Sequence, residues 1–426
     1  MFTLERNKNN FKMHIHRRAT PPDNHGQSTP ESVYVGLAQA NMTLIRPRFI
    51  ALDSSQLGDL ARDSQAGDRS RRDAAGDFLA SFAANDCALL LCWHHFEELL
   101  RHRNRDVVGK RISFFRSLDF VAWIKSARDD DPSHGGIVDI LAFEADQAFK
   151  DAKADPVAIR DRVLPNLIRC GRGREVIAPF AANLDKLQPW FWQREQQERK
   201  IIAIARSSTI DFGNTKVMDW WKGRWRSLDD AHGRLSAMAR LLGEDIRQRG
   251  DRRISEPATV ASEFLAGVRE RAETGQIEGD HLSEAALLPE HVERSEIGPD
   301  TTLNEMADLS AFRRRLRLAN EYIGAPWPEL KRRVTQKHLP SMLIQSILRD
   351  HVQDPPRRKG SELTDRRLAC LAPYADRTYV DKRTHEAVVR ARRKFPEFAS
   401  VTRSIEKAGG YPEIGRQVNE ALRRSA

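Results

Sequence analysis

LAPYADRTYVDKRTHEAV, residues 371–388, is the stretch on which the fold turns. Its centre, RTYV, reads as a short apolar strand, with Asp381 where that strand ends and Asp376 just before it begins. Immediately upstream, ELTDRRLAC places Asp365 at the opening of a helix. Far earlier, FIALDSS has the same grammar and ends on Asp53. CALLLCW (87–93) is another apolar run, followed by a short helix, HHFEELLRH, that carries Glu97 and Glu98; DFVAWI (119–124) is a further strand. Runs this short and continuously apolar predict strands buried on both faces of a parallel sheet. Alternating with helical segments, they predict βαβ units and an α/β fold.

Strands that end on acids put several carboxylates at one edge of a sheet, and sites in open α/β sheets form beyond the carboxyl ends of the strands. Asp53, Glu98, Asp365 and Asp381 are the candidate set. Carboxylates are hard oxygen ligands suited to Mg²⁺ or Mn²⁺, which bind phosphate oxygens alongside. Like charges gathered without a cation repel one another, and a metal resolves that cost. Taken singly, each acid has a plainer reading: Asp365 and Asp381 as helix caps, the glutamates as solvated helix charges.

On FIALDSS, HHFEELLRH and ELTDRRLACLAPYADRTYVDKRT the chain resembles the PIN-like nuclease superfamily, specifically its larger bacterial members. The resemblance implies a three-layer α/β/α domain with a parallel central sheet and an acidic Mg²⁺ or Mn²⁺ site that cleaves nucleic acid, RNA in many cases. It implies Asp53 as first-strand ligand with Ser55 supporting it, and Glu98 as the middle acid with Glu97 its alternative. Asp365 and Asp381 follow as the third and fourth acids, and Asp376 as an extra acid near the last strand. Val380 departs from the pattern, standing where many such domains carry a hydroxyl. The implied activity is a metal-dependent phosphodiesterase, a ribonuclease; the alternative is a non-catalytic scaffold that binds RNA or a protein. A homo-oligomer or an antitoxin-like protein partner is compatible with the family.

The 426 residues include 70 basic and 60 acidic ones, a net charge of +10 that favours a polyanionic partner. No run approaches the ~18–20 apolar residues that span a bilayer, and the N-terminal stretch lacks a signal-peptide core. With four cysteines and no CxxC pair, the expectation is a reduced, cytoplasmic protein without a membrane association. Residues 1–30 read as a disordered tail, 31–134 and 351–426 as two parts of the PIN-like domain. Residues 135–350 read as a large, mostly helical insertion with an acidic linker near 271–310. Of the basic clusters, RARRK (390–394) follows the last strand within one helix, so Arg390, Arg392, Arg393 and Lys394 are the candidate nucleic-acid contacts. QPWFW (188–192) and DWWKGRW (219–225) read as helix packing, and SHGG (133–136) as a loop.

Overall fold

The computed structural model describes residues 2–7, 10–15, 46–128, 134–205, 207, 214–221, 228–274, 288–289, 291–351 and 362–425. They divide into two units, Met1–Arg46 and Pro47–Ala426. In the first, β1 (Phe2–Asn7) pairs antiparallel with β2 (Asn10–Ile15), so part of the stretch expected to be disordered is a hairpin. Residues 16–45, where order was expected to begin, lie mostly outside the described residues.

The second unit is α/β. Its sheet has six strands in the order β6-β5-β4-β3-β7-β8. They are β3 (Arg48–Ala51), β4 (Cys87–Leu91), β5 (Val121–Ile124), β6 (Ile168–Gly171), β7 (Arg377–Val380) and β8 (Ser404–Lys407). All neighbours run parallel except β5 and β6. The four strands expected from the sequence are the four central ones, and every residue of β4 and β5 is buried. Alternation along the strands separates two hydrophobic clusters. Ile50, Leu52, Leu89 and Leu91 pack with α1 (Ser54–Ser64), α2 (Arg69–Ala84), α4 (Arg105–Ser117) and α7 (Gly173–Ala182). Phe49, Ala51, Ala88 and Leu90 pack with α5 (Ile137–Lys150), α6 (Pro156–Leu167) and the helix Leu303–Ile323. Helices therefore cover both faces, as continuously apolar parallel strands require.

This arrangement corrects the expected insertion. β6 extends the sheet from within 135–350, and α5, α6, α7 and the helices beyond residue 303 supply core side chains. The helices α9 (Val217–Trp221), α10 (Leu228–Arg249) and α11 (Pro257–Thr274) gather around two smaller clusters, which also take in Ala203, Val292, Ile297, Leu303 and Met306. The acidic 271–310 stretch is likewise not one linker. Residues 275–287 lie outside the described residues, and a capping box at Thr302 starts the helix Leu303–Ile323.

Strand order fixes where a site can form. Chain progression runs outward in one direction from β3 to β4 and β5, and in the other to β7 and β8. The reversal lies between β3 and β7, and a crevice opens beyond the carboxyl ends of strands at such a switch point.

Candidate functional site

Asp53 and Asp381 stand at that switch point. Ile50 pairs with Arg377 and Ala51 with Thr378; Asp53 stands two residues after Ala51 and Asp381 three after Thr378, where the neighbouring strands end. Asp53 caps α1: its Oδ1 accepts the Ser55 backbone N–H (2.7 Å) and hydroxyl (2.6 Å), while Gln56 Oε1 accepts the Asp53 N–H at 3.2 Å. Asp381 caps the helix Lys382–Lys394 by accepting the Thr384 N–H at 2.7 Å. Both helices thus present their positive dipole ends to the crevice. Burial raises the pKa of Asp53; the two Ser55 hydrogen bonds pull it down, and the charge of Asp381 adds to the rise. Among the described residues, neither aspartate has an ion-pair partner.

Glu98 reaches the same place from α3 (Trp93–Leu100), the helix after β4. Its Oε1 pairs with Arg101 at 3.2 Å, but Oε2 is buried and, among the described residues, has no hydrogen-bond partner. Burial raises its pKa; Arg101 and the nearby Ser54 hydroxyl offset part of this, and Asp53 adds to it. The Ser54 hydroxyl eases that charge without closing a hydrogen bond of its own. Asp365, on the helix Glu362–Ala369, completes the set. Asp53, Glu98, Asp365 and Asp381 all line one open cleft of about 800 Å³, with Ser55 beside them. Among the described residues, no three Asp, Glu, His or Cys side chains are drawn close enough to cage a cation. The acids share a cleft, not a finished coordination shell.

Three sequence expectations are corrected. Glu97 does not line the cleft: it is 5 % exposed and bonds His94 Nδ1 at 3.1 Å and Arg194 at 2.8 Å. Burial alone would raise its pKa; His94, Arg194 and Arg367 outweigh that and hold it at about 2. Arg194 also lies 3.6 Å from Glu198, which Arg367 contacts in turn. This buried ionic chain ties α3 to α8 (Leu184–Ala205) and to the helix that carries Asp365. Asp376 lies at the amino end of β7, the wrong edge of the sheet. Its backbone N–H donates to the Phe49 carbonyl at 2.7 Å, its Oδ2 accepts the Phe49 N–H at 2.7 Å, and it pairs with Arg403. RARRK ends the helix that Asp381 begins, and 13 residues make a helix of roughly 20 Å. Arg390, Arg392, Arg393 and Lys394 therefore stand at the far end of that helix and do not line the cleft of the acids, and Arg392 is bonded to Thr402 and the Arg403 carbonyl.

The cations that do line the acidic cleft are Arg62, Arg71, Lys110 and Arg111. Arg62 pairs with Asp59 at 2.8 Å, Arg71 with Asp63, and Arg111 with the Leu99 carbonyl. Lys110 is exposed and, among the described residues, has no partner. Nothing in the sequence distinguished these residues from the solvated faces of α1, α2 and α4. Comparison with protein-family models, with curated proteins and with solved structures finds no match to this chain.

Proposed function

We propose that the chain is a PIN-like, three-layer α/β/α protein acting as a metal-dependent phosphodiesterase on RNA. One observation carries the reading: four carboxylates from separate elements share a cleft at the switch point of a mostly parallel sheet, with no ion-pair partner for Asp53 or Asp381 among the described residues. The donor set fits a hard divalent ion, since all four are oxygen ligands and Glu98 Oε2 is a buried acceptor without a donor. Asp53, Glu98, Asp365 and Asp381 would hold Mg²⁺ or Mn²⁺. When bound, the cation supplies a more acidic water and positive charge beside the phosphodiester.

The chain's own residues do the rest. Ser55 fixes the Asp53 carboxylate by two hydrogen bonds to one oxygen. The N-termini of α1 and the helix Lys382–Lys394, with Lys110, favour the phosphate. Water adds to phosphorus, the bond from phosphorus to O3′ breaks, and the water's proton ends on that oxygen. The products carry a 5′-phosphate and a 3′-hydroxyl.

The test is cleavage of end-labelled single-stranded RNA by the purified protein in Mn²⁺, in EDTA, and by Asp53→Asn/Asp381→Asn. The reading expects cleavage in Mn²⁺ alone, lost in a folded double variant. A non-catalytic RNA-binding scaffold is the second reading, favoured by the absence of a preformed cage among the described residues. RNA bound but intact under all metal conditions would select it.

A further inference from the structure

A second cleft of about 860 Å³ adjoins the acidic one, and Glu98, His102 and Arg111 line both. From that junction it runs along the turn between α3 and α4, across α8 at Glu195–Lys200, to Ser255–Val260 at the start of α11. The two clefts are oppositely charged. Four basic side chains face six acidic ones in the first, whereas in the second six face three. An uncompensated polyanion is repelled by the first cleft and attracted by the second.

The cations of the second cleft fall into two groups. Arg253 pairs with Asp251 at 2.6 Å and Arg199 with Glu195, so these build the wall. Arg103 is exposed and has no partner among the described residues; Lys200 meets Glu263 at 2.8 Å in a pair where both side chains are 40 % exposed or more. A pair that exposed contributes little and yields readily to a phosphate. The turn that carries Arg103 is held from beneath: Gln188 donates to the Leu100 and His102 carbonyls at 3.2 and 3.3 Å, and Trp192 Nε1 to the Arg101 carbonyl at 2.5 Å. Among the described residues no Phe, Tyr or Trp lines this cleft, so the charged side chains set its character and the contacts go chiefly to phosphates.

We propose that the second cleft is a track for the sugar–phosphate backbone of a single polynucleotide strand, with Arg103 and Lys200 as its phosphate contacts, leading the strand to the acids. The track rests on reading the first cleft as the site of phosphodiester hydrolysis. Binding without metal separates the two. Fluorescein-labelled oligouridylate and oligothymidylate of roughly 20 nucleotides, longer than a typical single-strand site, are titrated in EDTA across a salt series. Asp53→Asn/Asp381→Asn should bind at least as tightly as wild type, because it removes two charges that repel the strand. Arg103→Ala/Lys200→Ala should lose two contacts, lowering the slope of log affinity against log salt by about 1.4 and affinity roughly 25-fold at 0.1 M salt. Its thermal melt should match wild type, because both side chains are at the surface.

Unchanged affinity and slope in Arg103→Ala/Lys200→Ala, or no binding of either strand by wild type, would overturn the track. Loss of binding in that variant with no cleavage by wild type in Mn²⁺ would uphold the track and retire only the hydrolysis. A preference of oligouridylate over oligothymidylate would assign the strand as RNA, and equal binding as any single strand; either outcome supports backbone contact.

Discussion

Asp53 and Asp381 cap two helices at the ends of neighbouring parallel strands, and the charge of Asp381 works against ionisation of Asp53. An acid whose folded-state pKa is raised stabilises the fold only while protonated. That contribution is full below the unfolded pKa and is lost as pH rises through the folded value. Asp53→Asn keeps a good cap and removes the repulsion. It should melt higher than wild type at pH 7 without metal, with the gap closing at pH 3. Mn²⁺ should raise the wild-type melting temperature by a few degrees and leave Asp53→Asn/Asp381→Asn unmoved, by mass action on the folded state. Calorimetry of wild type, Asp53→Asn and Asp53→Asn/Asp381→Asn over pH, with and without Mn²⁺, checks both parts.

The ionic chain behind the cleft makes a second prediction. Glu198 is 5 % exposed, contacts Arg367, and lies 3.6 Å from Arg194. Arg367→Met keeps the volume but strips a buried carboxylate of its close partner, at a cost of about 3–5 kcal/mol. Adding Glu198→Gln should return much of that loss. Urea unfolding of the single and double variants measures it; a double variant no more stable than the single one would contradict it.

Glu144 is fully buried between α5 and the Pro340–His351 helix. It accepts the Ser341 N–H at 3.0 Å, the Ser341 hydroxyl at 2.6 Å and the Tyr374 hydroxyl at 2.6 Å. Burial raises its pKa to about 7 against those three bonds. Its protonated form stabilises the fold most below the ordinary carboxylate range, and that gain disappears as pH climbs through about 7. Glu144→Gln should therefore gain on wild type steadily from pH 4.5 to pH 8, read as the difference in melting temperature. A difference that is flat across this window would refute the assignment.

Gly135 sits where the chain crosses from β5 to α5. Its carbonyl accepts the Trp93 N–H at 2.9 Å and its own N–H bonds the Ile124 carbonyl at 2.8 Å. A Cβ there would lie 2.2 Å from the Lys125 carbonyl oxygen, a backbone atom that cannot swing aside. Gly135→Ala should cost at least the ~1–3 kcal/mol of ordinary overpacking. Gly76→Ala, where an added Cβ meets nothing, is the control on the same denaturant curve.

The central strands were legible because burial on both faces demands continuous apolar residues, which FIA, CALLL and VAWI supply, and because RTYV ends on an apolar pair followed by Asp381. The edge strands β6 (IRCG) and β8 (SIEK) were not, since an edge needs few apolar side chains. Helical periodicity in 135–350 announced that one face is buried but not against what. Glu97 and Glu98 are adjacent in sequence and about 100° apart on the helix, which sends one into an ionic chain and the other into a cleft. Arg103 and Lys200 looked like any solvated cation, because their meaning lies in a groove assembled from segments almost a hundred residues apart.

The β3–β7 pairing joins Phe49 to Asp376 across 327 positions of chain. At the roughly 5–20 residues per second of ribosomal synthesis, β3 waits about 16–65 seconds for its second neighbour. Throughout that interval one side of the central strand is an open template for wrong partners. The acids of the cleft are also still apart, so a nascent chain holds no complete set until β7 docks. On the hydrolytic reading proposed above, the cleft is therefore complete only once the last third of the sheet has been made and docked.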